Sequence, residues 1–234
     1  MKSNELYDKL TLVFDPALFI YKSVGGNFII NEHESGSSIN AVNIHYQGQL
    51  LSIDNKFLKN SHDIYPDNTS RHPYPELKHD CDGILIISVR EQKYIILLEL
   101  KSTYSKTNIR KAEKQLVASY MRLVSRLNCL DNFDINSYKK CAIIISHQLD
   151  PNELLKISRK KKISGILSRY EKQALIHHAN KNIKSYEMDK IYSQLCQLPI
   201  KKELYFDYLP IFHGKINNDC NSGDINIENF LRKI

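Results

Sequence analysis

A carboxylate and an ammonium group lie two residues apart inside an apolar segment of the chain. The segment YIILLELK is built from strand-forming residues, except for Glu99 and Lys101 near its end. A charged group in a dry sheet is costly unless it is paired, bound to a metal or used in chemistry. These two residues are therefore the first candidates for a functional site.

The apolar segment that precedes them predicts a hairpin. GILIISV and YIILLEL are both rich in Ile, Leu and Val, and the polar residues REQK between them supply a turn. Their continuous apolar character favours strands that are covered on both faces. Because side chains alternate along a strand, Glu99 and Lys101 share one face of this hairpin.

The register of the hairpin decides whether Asp82 joins them. With Glu91 and Gln92 as the turn, Asp82 lies opposite Lys101, and directly opposed Cβ atoms are about 4.5–5.5 Å apart. Asp82, Glu99 and Lys101 then converge at one end of the hairpin. A three-residue loop would shift the register by one and turn Asp82 to the other face.

Such a cluster suits a divalent cation. Two carboxylates this close repel each other, and burial raises their pKa values unless a cation lies between them. Mg²⁺ takes oxygen ligands and keeps several waters that a phosphate can replace. Beside it, Lys101 would position the attacking water or steady the charge on the phosphate. These parts fit metal-assisted hydrolysis of a phosphodiester.

The elements after the hairpin continue an α/β pattern. Residues Asn108 to Leu127 predict an amphipathic helix, and CAIIISH (141–147) predicts a further strand. The order is therefore strand, strand, helix, strand. The predicted core stripe of the helix comprises Ile109, Ala112, Leu116, Tyr120, Leu123 and Leu127. Its predicted solvated side comprises Arg110, Lys111, Lys114, Arg122 and Arg126.

Sixteen residues separate Asp82 from the triplet Glu99-Leu100-Lys101. This pattern resembles the PD-(D/E)xK nuclease superfamily, which includes restriction endonucleases and prokaryotic defence nucleases. The resemblance implies an α/β restriction-endonuclease-like core with a central mixed β-sheet flanked by helices. It also implies that Asp82, Glu99 and the backbone carbonyl of Leu100 hold Mg²⁺ or Mn²⁺, while Lys101 serves the water. Some members carry Gln on the helix after the Lys, which makes Gln115 a further catalytic candidate.

Several assignments stay open at this point. Asp80 shares a face with Asp82 if the strand starts early, and it is an alternative metal ligand. Many members of the superfamily place an acid on the first helix, for which the candidates are Glu5, Glu32 and Glu34. Other acid-x-Lys triplets lie in polar surroundings, namely Asp54-Asn-Lys56, Glu76-Leu-Lys78 and Glu91-Gln-Lys93.

The C-terminal third predicts an elaboration of the same domain. We expect one domain over 1–234, with the nuclease core at about 28–150 and a mainly helical elaboration at about 151–234. A helical segment from 152 to 179 is interrupted near Gly165, SYEMDKIYSQLCQ predicts another helix, and ELYFDYLPIF predicts a strand. The basic run Arg159, Lys160, Lys161 and Lys162 is typical of a surface that tracks phosphates. Neighbouring Tyr170, His177 and His178 are candidates to stack on bases.

Bulk properties narrow the class of protein. The formal net charge of +7 suits an anionic partner such as nucleic acid. Five scattered cysteines without metal-ligand spacing indicate reduced thiols and a cytoplasmic setting, and no apolar run is long enough to cross a membrane. No nucleotide-binding glycine motif is present.

These observations predict a Mg-dependent endonuclease that cleaves DNA, with RNA as an alternative substrate. By analogy with the superfamily, it would be the effector of a bacterial antiviral defence or restriction system and would act with a protein partner. Double-strand cutting is compatible with a homodimer. The alternative is a catalytically inactive nuclease-fold subunit that binds DNA or a partner protein.

Overall fold

The structure is a computed structural model. It describes residues 1–32, 37–59, 78–179, 187–192, 200–217, 219–232 and 234, with only the backbone described for 187–192. The helices within these ranges are α1 Ser3–Val13, α2 Lys56–Lys59, α3 Lys106–Leu127, α4 Pro151–Ser164, α5 Arg169–Ala179 and α6 Glu228–Leu231. The strands are β1 Phe19–Lys22, β2 Gly26–Asn31, β3 Ala41–Tyr46, β4 Gln49–Ile53, β5 Gly83–Val89, β6 Gln92–Lys101, β7 Lys139–Ser146, β8 Glu187–Tyr192, β9 Tyr208–Lys215 and β10 Ser222–Asn226.

A seven-stranded mixed sheet forms the centre of the molecule, in the order β1-β4-β5-β6-β7-β9-β8. Consecutive strands β4, β5 and β6 are antiparallel, α3 crosses over, and β7 then pairs parallel to β6. Strand β9 extends the parallel part. The α/β class and the order strand, strand, helix, strand are therefore confirmed.

The two faces of the central sheet are covered differently. Alternate residues of β6, such as Ile95 and Leu97, pack in one core cluster with side chains from α1 and α3 to α5. The intervening Leu98 and Leu100 pack in a second cluster beneath α6 and a small sheet of order β10-β3-β2. Both faces of β5 and β6 are buried, which explains their continuous apolar sequences.

The hairpin of β5 and β6 has the predicted pairing sense in a different register. Its turn is Arg90-Glu91, with Val89 opposite Gln92, so every β5 residue faces a β6 residue two positions earlier than expected. Arg90 adopts a φ of 55° in this turn. Because the shift is two residues, it does not exchange the faces of the strands.

The C-terminal third differs more from the prediction. The segment SYEMDKIYSQLCQ does not form a helix over 187–192, where β8 pairs with β9 instead. The described part of the elaboration contains α4, α5 and α6, and it also contributes β8 and β9 to the central sheet and β10 to the small one. The predicted interruption is confirmed, since α4 ends at Gly165 with a φ of 65°.

Some predictions concern residues outside the described ranges. Most of the irregular connection predicted over 61–80 lies there, as does Glu34.

Cysteines 81, 129, 141 and 220 are free thiols. Among the described helices, none is long and apolar enough to cross a membrane.

Candidate active site

Glu99 and Lys101 form a buried ion pair at the end of β6. Their side chains are 0% and 6% exposed, and Lys101 Nζ contacts Glu99 Oε1. The second oxygen of Glu99, Oε2, is fully buried and has no hydrogen-bond partner among the described residues. Such an orphaned carboxylate oxygen is costly in a dry interior, so it is a feature that a ligand would relieve.

Asp82 lies beside this pair, immediately before β5. Its backbone N–H donates to the carbonyl of Leu98 at 2.9 Å. Its Oδ2 accepts a hydrogen bond of 2.6 Å from the N–H of Leu100. The carboxylate is therefore fixed against the backbone of β6 between Leu98 and Lys101. The Leu100 side chain is buried in the layer beneath, so Leu100 meets Asp82 only through its backbone.

A third carboxylate approaches from the small sheet. Glu32 follows β2, and its charge acts on Glu99. The close approach of β2 depends on Gly83, where a Cβ atom would lie 2.8 Å from Ile30 Cδ1. Of the acids predicted for the first helix, Glu5 lies on α1 and accepts from the Lys2 N–H at 2.9 Å. Of the two candidates within the described residues, Glu32 is the one whose charge acts on Glu99, and it lies after a strand rather than on a helix.

The electrostatic balance at Glu99 raises the pKa of its carboxyl group. Burial raises the pKa of Glu99 well above its usual value, and the negative charges of Asp82 and Glu32 raise it further. Lys101 acts in the opposite direction through its charge and its hydrogen bond. Burial and repulsion outweigh the single ammonium group. A divalent cation bound between these carboxylates would offset their repulsion.

Three polar side chains of α3 hold the segment that leads into Asp82. Gln115 Nε2 donates to the carbonyl of Asp80 at 2.8 Å. Ser119 Oγ accepts from the N–H of Cys81 at 2.7 Å. Gln115, Ser119 and Arg122 are spaced at i, i+4 and i+7, so they share one side of the helix. Gln115 therefore lies near the predicted site but contacts the backbone that positions Asp82.

Arg122 corrects one sequence-based expectation. It was placed on the solvated side of the helix, yet it is 1% exposed. It pairs with Asp80 at 2.5 Å and donates to the carbonyl of His79. A helical pattern could not reveal this partner, which lies about forty residues earlier in the chain. The ion pair between Asp80 and Arg122 ties the segment before Asp82 to α3.

The predicted phosphate-tracking residues lie on the surface. Arg159, Lys160, Lys161 and Lys162 are exposed in the last turns of α4, which we call the basic turn. Lys160 also pairs with Glu171 of α5 at 2.7 Å. The structure does not bring this turn into contact with Glu99 or Lys101.

The histidines and Tyr170 have different environments. His177 is 1% exposed and stacks on Tyr104 with ring centroids 4.0 Å apart, so it is not accessible to a base. His147 is satisfied locally by Ser38 at 3.1 Å and by the carbonyl of Cys220 at 3.0 Å. Tyr170 is half-buried and lines a surface cleft.

The donor set suits a divalent cation that prefers oxygen. Asp82 and Glu99 supply carboxylates, Glu32 adds charge from a third, and one Glu99 oxygen has no hydrogen-bond partner within the described ranges. Across the described ranges, no group of three histidine, cysteine, aspartate or glutamate side chains is arranged to hold a metal ion. The expected set of two carboxylates and a Leu100 carbonyl has only two such side chains, so it would complete its shell with water, as Mg²⁺ commonly does.

Comparisons with protein families, with curated proteins and with solved structures find no match for this chain.

Proposed function

We propose that the protein is a metal-dependent nuclease of the PD-(D/E)xK type that hydrolyses phosphodiester bonds of DNA. The observation that carries this proposal is the buried Glu99–Lys101 pair beside Asp82, with one Glu99 oxygen that has no hydrogen-bond partner in the described part of the chain. The order β4-β5-β6-α3-β7 is also the order that the superfamily resemblance implies. A purely structural ion pair would not explain two further acids that raise the pKa of Glu99.

In this proposal each residue has a distinct role. Asp82, Glu99 and the Leu100 carbonyl would hold Mg²⁺ or Mn²⁺, which supplies Lewis-acid stabilisation of the phosphate charge when it is bound. The Leu100 N–H holds Asp82 Oδ2 in place at 2.6 Å. Lys101 Nζ, once released from Glu99, can donate a hydrogen bond to a phosphate oxygen or orient the attacking water. Gln115 acts as a positioning residue through the Asp80 carbonyl.

The net positive charge and the basic turn support a nucleic-acid substrate. Seven excess positive charges attract a polyanion, and the exposed cations of α4 are available for phosphate contacts. A role as effector of a bacterial defence or restriction system, with a protein partner, belongs to the same proposal. Its basis is analogy with the superfamily.

A catalytically inactive subunit of the same fold is the second candidate. Lys101 already neutralises Glu99 in part, and the described residues lack a three-ligand cluster. In such a protein the pair would serve packing, and the basic turn would bind DNA. The two candidates differ in whether a divalent cation binds.

The test combines cleavage with metal binding. Plasmid DNA is incubated with wild type, Glu99→Gln or Lys101→Met in Mg²⁺, Mn²⁺ or EDTA. Thermal unfolding is measured at the same metal concentrations. We expect metal-dependent nicking by wild type that both variants lose. At a metal concentration 100 times Kd, wild type should also gain about 5–10 °C in Tm.

Matched controls come from the same hairpin. Glu91→Gln and Lys93→Met change an acid-x-Lys triplet with identical spacing that lies at the turn, where Glu91 is 85% exposed. These controls should nick DNA like wild type. A shift in Tm without cleavage would leave the metal site in place and point to another substrate or an activator. If wild type shows neither a metal-dependent shift in Tm nor cleavage, the nuclease proposal is overturned in favour of the inactive subunit.

A further inference from the structure

A cleft of about 200 Å³ lies between the first turns of α3 and α5. Its lining includes Tyr104, Arg110, Arg169, Tyr170, Gln173 and His213. The volume is below the roughly 300–1,000 Å³ of pockets that enclose a drug-sized ligand. It therefore suits a single ring system.

The deep part of the cleft is aromatic. Tyr104 is 1% exposed, and Tyr170 lies nearly parallel to it, at 15° and 6.0 Å between ring centroids. His177 stacks on Tyr104 at 4.0 Å, within the protein. Aromatic rings fixed in this way provide a platform for a flat, polarisable ligand.

Two buried polar atoms of the lining residues have no hydrogen-bond partner in the part of the chain that the structure describes. His213 is 1% exposed, and its Nε2 is buried with no hydrogen-bond partner among the described residues. Gln173 Oε1 is also buried and has no hydrogen-bond partner among the described residues. Burial lowers the pKa of His213 to about 3, so its ring is neutral at pH 7. Neutral groups that lack partners favour a neutral ligand with donors and acceptors in its plane.

The rim of the cleft is positively charged. Lys106 and Arg110 are exposed on the first turns of α3, and Arg110 makes no ion pair with any described residue. Arg169 pairs with Glu113 at 2.9 Å. The single acid leaves two cations in excess, which suits a ligand with a negative group outside the ring pocket.

From these features we infer that the cleft binds a nucleotide, with the base on the Tyr170 side and the phosphate at Lys106 and Arg110. The source of that nucleotide is either a free mononucleotide or one unstacked residue of a single strand. The inference concerns binding and does not require cleavage at Glu99.

The position of the cleft suits either source. His213 lies in register with Ile144 and Glu99 across β9, β7 and β6, so it is two strand spacings, about 9–10 Å, from Glu99 on the same face. On the other side, Glu171 of α5 pairs with Lys160 of the basic turn. A strand that crossed the basic turn toward Lys101 would pass this cleft.

Binding is tested on the full chain in EDTA, which separates the result from any metal-dependent activity. Fluorescence anisotropy follows a labelled single-stranded oligonucleotide of about 10 nucleotides, a length within the range of single-strand sites. A second probe is the same strand with abasic sugars, and a third is a set of free mononucleotides used as competitors. Variants are Tyr170→Leu, Gln173→Met and Arg110→Met, with Lys172→Met as an exposed cation on α5 outside the cleft.

Loss of a stacking residue should weaken oligonucleotide binding about 5- to 150-fold. Arg110→Met should reduce the slope of log K against log salt by about 1. Because Arg110 is exposed, misfolding would not explain weaker binding by this variant. The abasic strand should bind about as weakly as the Tyr170 variant does. Lys172→Met should retain the Kd of wild type, apart from the general weakening that the loss of one positive charge causes. That weakening should be the same for the intact strand and for the abasic strand.

The competitors identify the source. Mononucleotides that displace the strand and lose affinity in the same variants would assign the cleft to a free nucleotide. If the strand binds but the mononucleotides do not displace it, and the cleft variants weaken binding of the strand, the cleft is assigned to a nucleotide residue of the nucleic acid. Equal affinity of wild type and all three cleft variants for both the strand and the mononucleotides would overturn the inference, as would a failure of every probe to bind.

Discussion

Two buried histidines predict that the fold is sensitive to mild acid. His177 and His213 are each 1% exposed, and burial lowers the pKa of both rings to about 3. In the unfolded chain a histidine has a pKa of about 6.5. As the pH falls from 6.5 toward 3, the unfolded chain therefore binds two protons that the folded protein excludes. The stability that these rings contribute above pH 6.5 is lost across that window.

The size of the effect follows from the width of the window. Each pH unit below 6.5 costs about 1.4 kcal/mol for each histidine. At pH 5.0 the cost is therefore about 2 kcal/mol for each ring and about 4 kcal/mol for the pair. A typical domain has only about 5–15 kcal/mol of stability, so this loss is a large fraction of it.

Urea unfolding at pH 7.0 and pH 5.0 measures the loss. The chains to compare are wild type, His177→Gln, His213→Gln and the control His178→Gln, which changes an exposed neighbouring ring. Each buried variant should recover about 2 kcal/mol of the difference between the two pH values, while the control recovers none. Glu99 works in the opposite direction because its pKa is raised, but it contributes equally to all four chains.

An equal pH difference in all four chains would refute this reasoning. It would mean that the two rings titrate in the folded protein as they do in the unfolded chain. An overall loss of stability in a variant does not affect the conclusion, because each chain is compared with itself at two pH values.

Two further predictions concern buried ion pairs and are read from urea unfolding. Arg122→Met leaves Asp80 without its buried partner, so it should lower the free energy of unfolding by about 3–5 kcal/mol, whereas the exposed Arg110→Met should change it by about 0.5 kcal/mol or less. Equal losses in the two variants would contradict the anchoring role of Arg122. The double variant Glu99→Leu/Lys101→Met should be about 1–4 kcal/mol more stable than wild type without metal, while Lys101→Met alone should be less stable. A double variant less stable than either single variant would show that the pair is retained for packing.

The arrangement around Asp82 connects folding with the proposed function. Asp80 and Cys81 are held by α3, and Asp82 is held by the backbone of β6. The carboxylate is thus positioned by two elements that belong to the core. By contrast, the acids of the site oppose folding, since they repel each other in a buried place. Such a conflict between stability and local charge is typical of functional sites.

Local patterns were enough to predict several elements of the fold. The apolar stripe of α3 is buried as predicted, because an amphipathic period of 3.6 residues leaves one face for the core. The break between α4 and α5 followed from Gly165, which readily adopts a positive φ. The shared face of Glu99 and Lys101 followed from the alternation of side chains along a strand.

Where partners are distant in sequence, the local patterns were insufficient. The segment of β8 has helical spacing, yet pairing with β9 decided its conformation. The turn at Arg90 set a register that the polar residues REQK left ambiguous. Arg122 appeared solvated because its acidic partner, Asp80, belongs to another part of the chain.

The sequence by itself determined the kinds of chemistry that are available: an acid and a lysine inside an apolar strand, an acid before the preceding strand, and an excess of positive charge. Covalent order and side-chain period are local properties, and they can be read directly. Only the tertiary structure decided that Glu32 approaches Glu99 and that α3 holds the segment before Asp82. It also decided that His213 and Gln173 meet in one cleft. These arrangements depend on how sheets and helices pack, and packing joins residues whose separation in the sequence carries no signal.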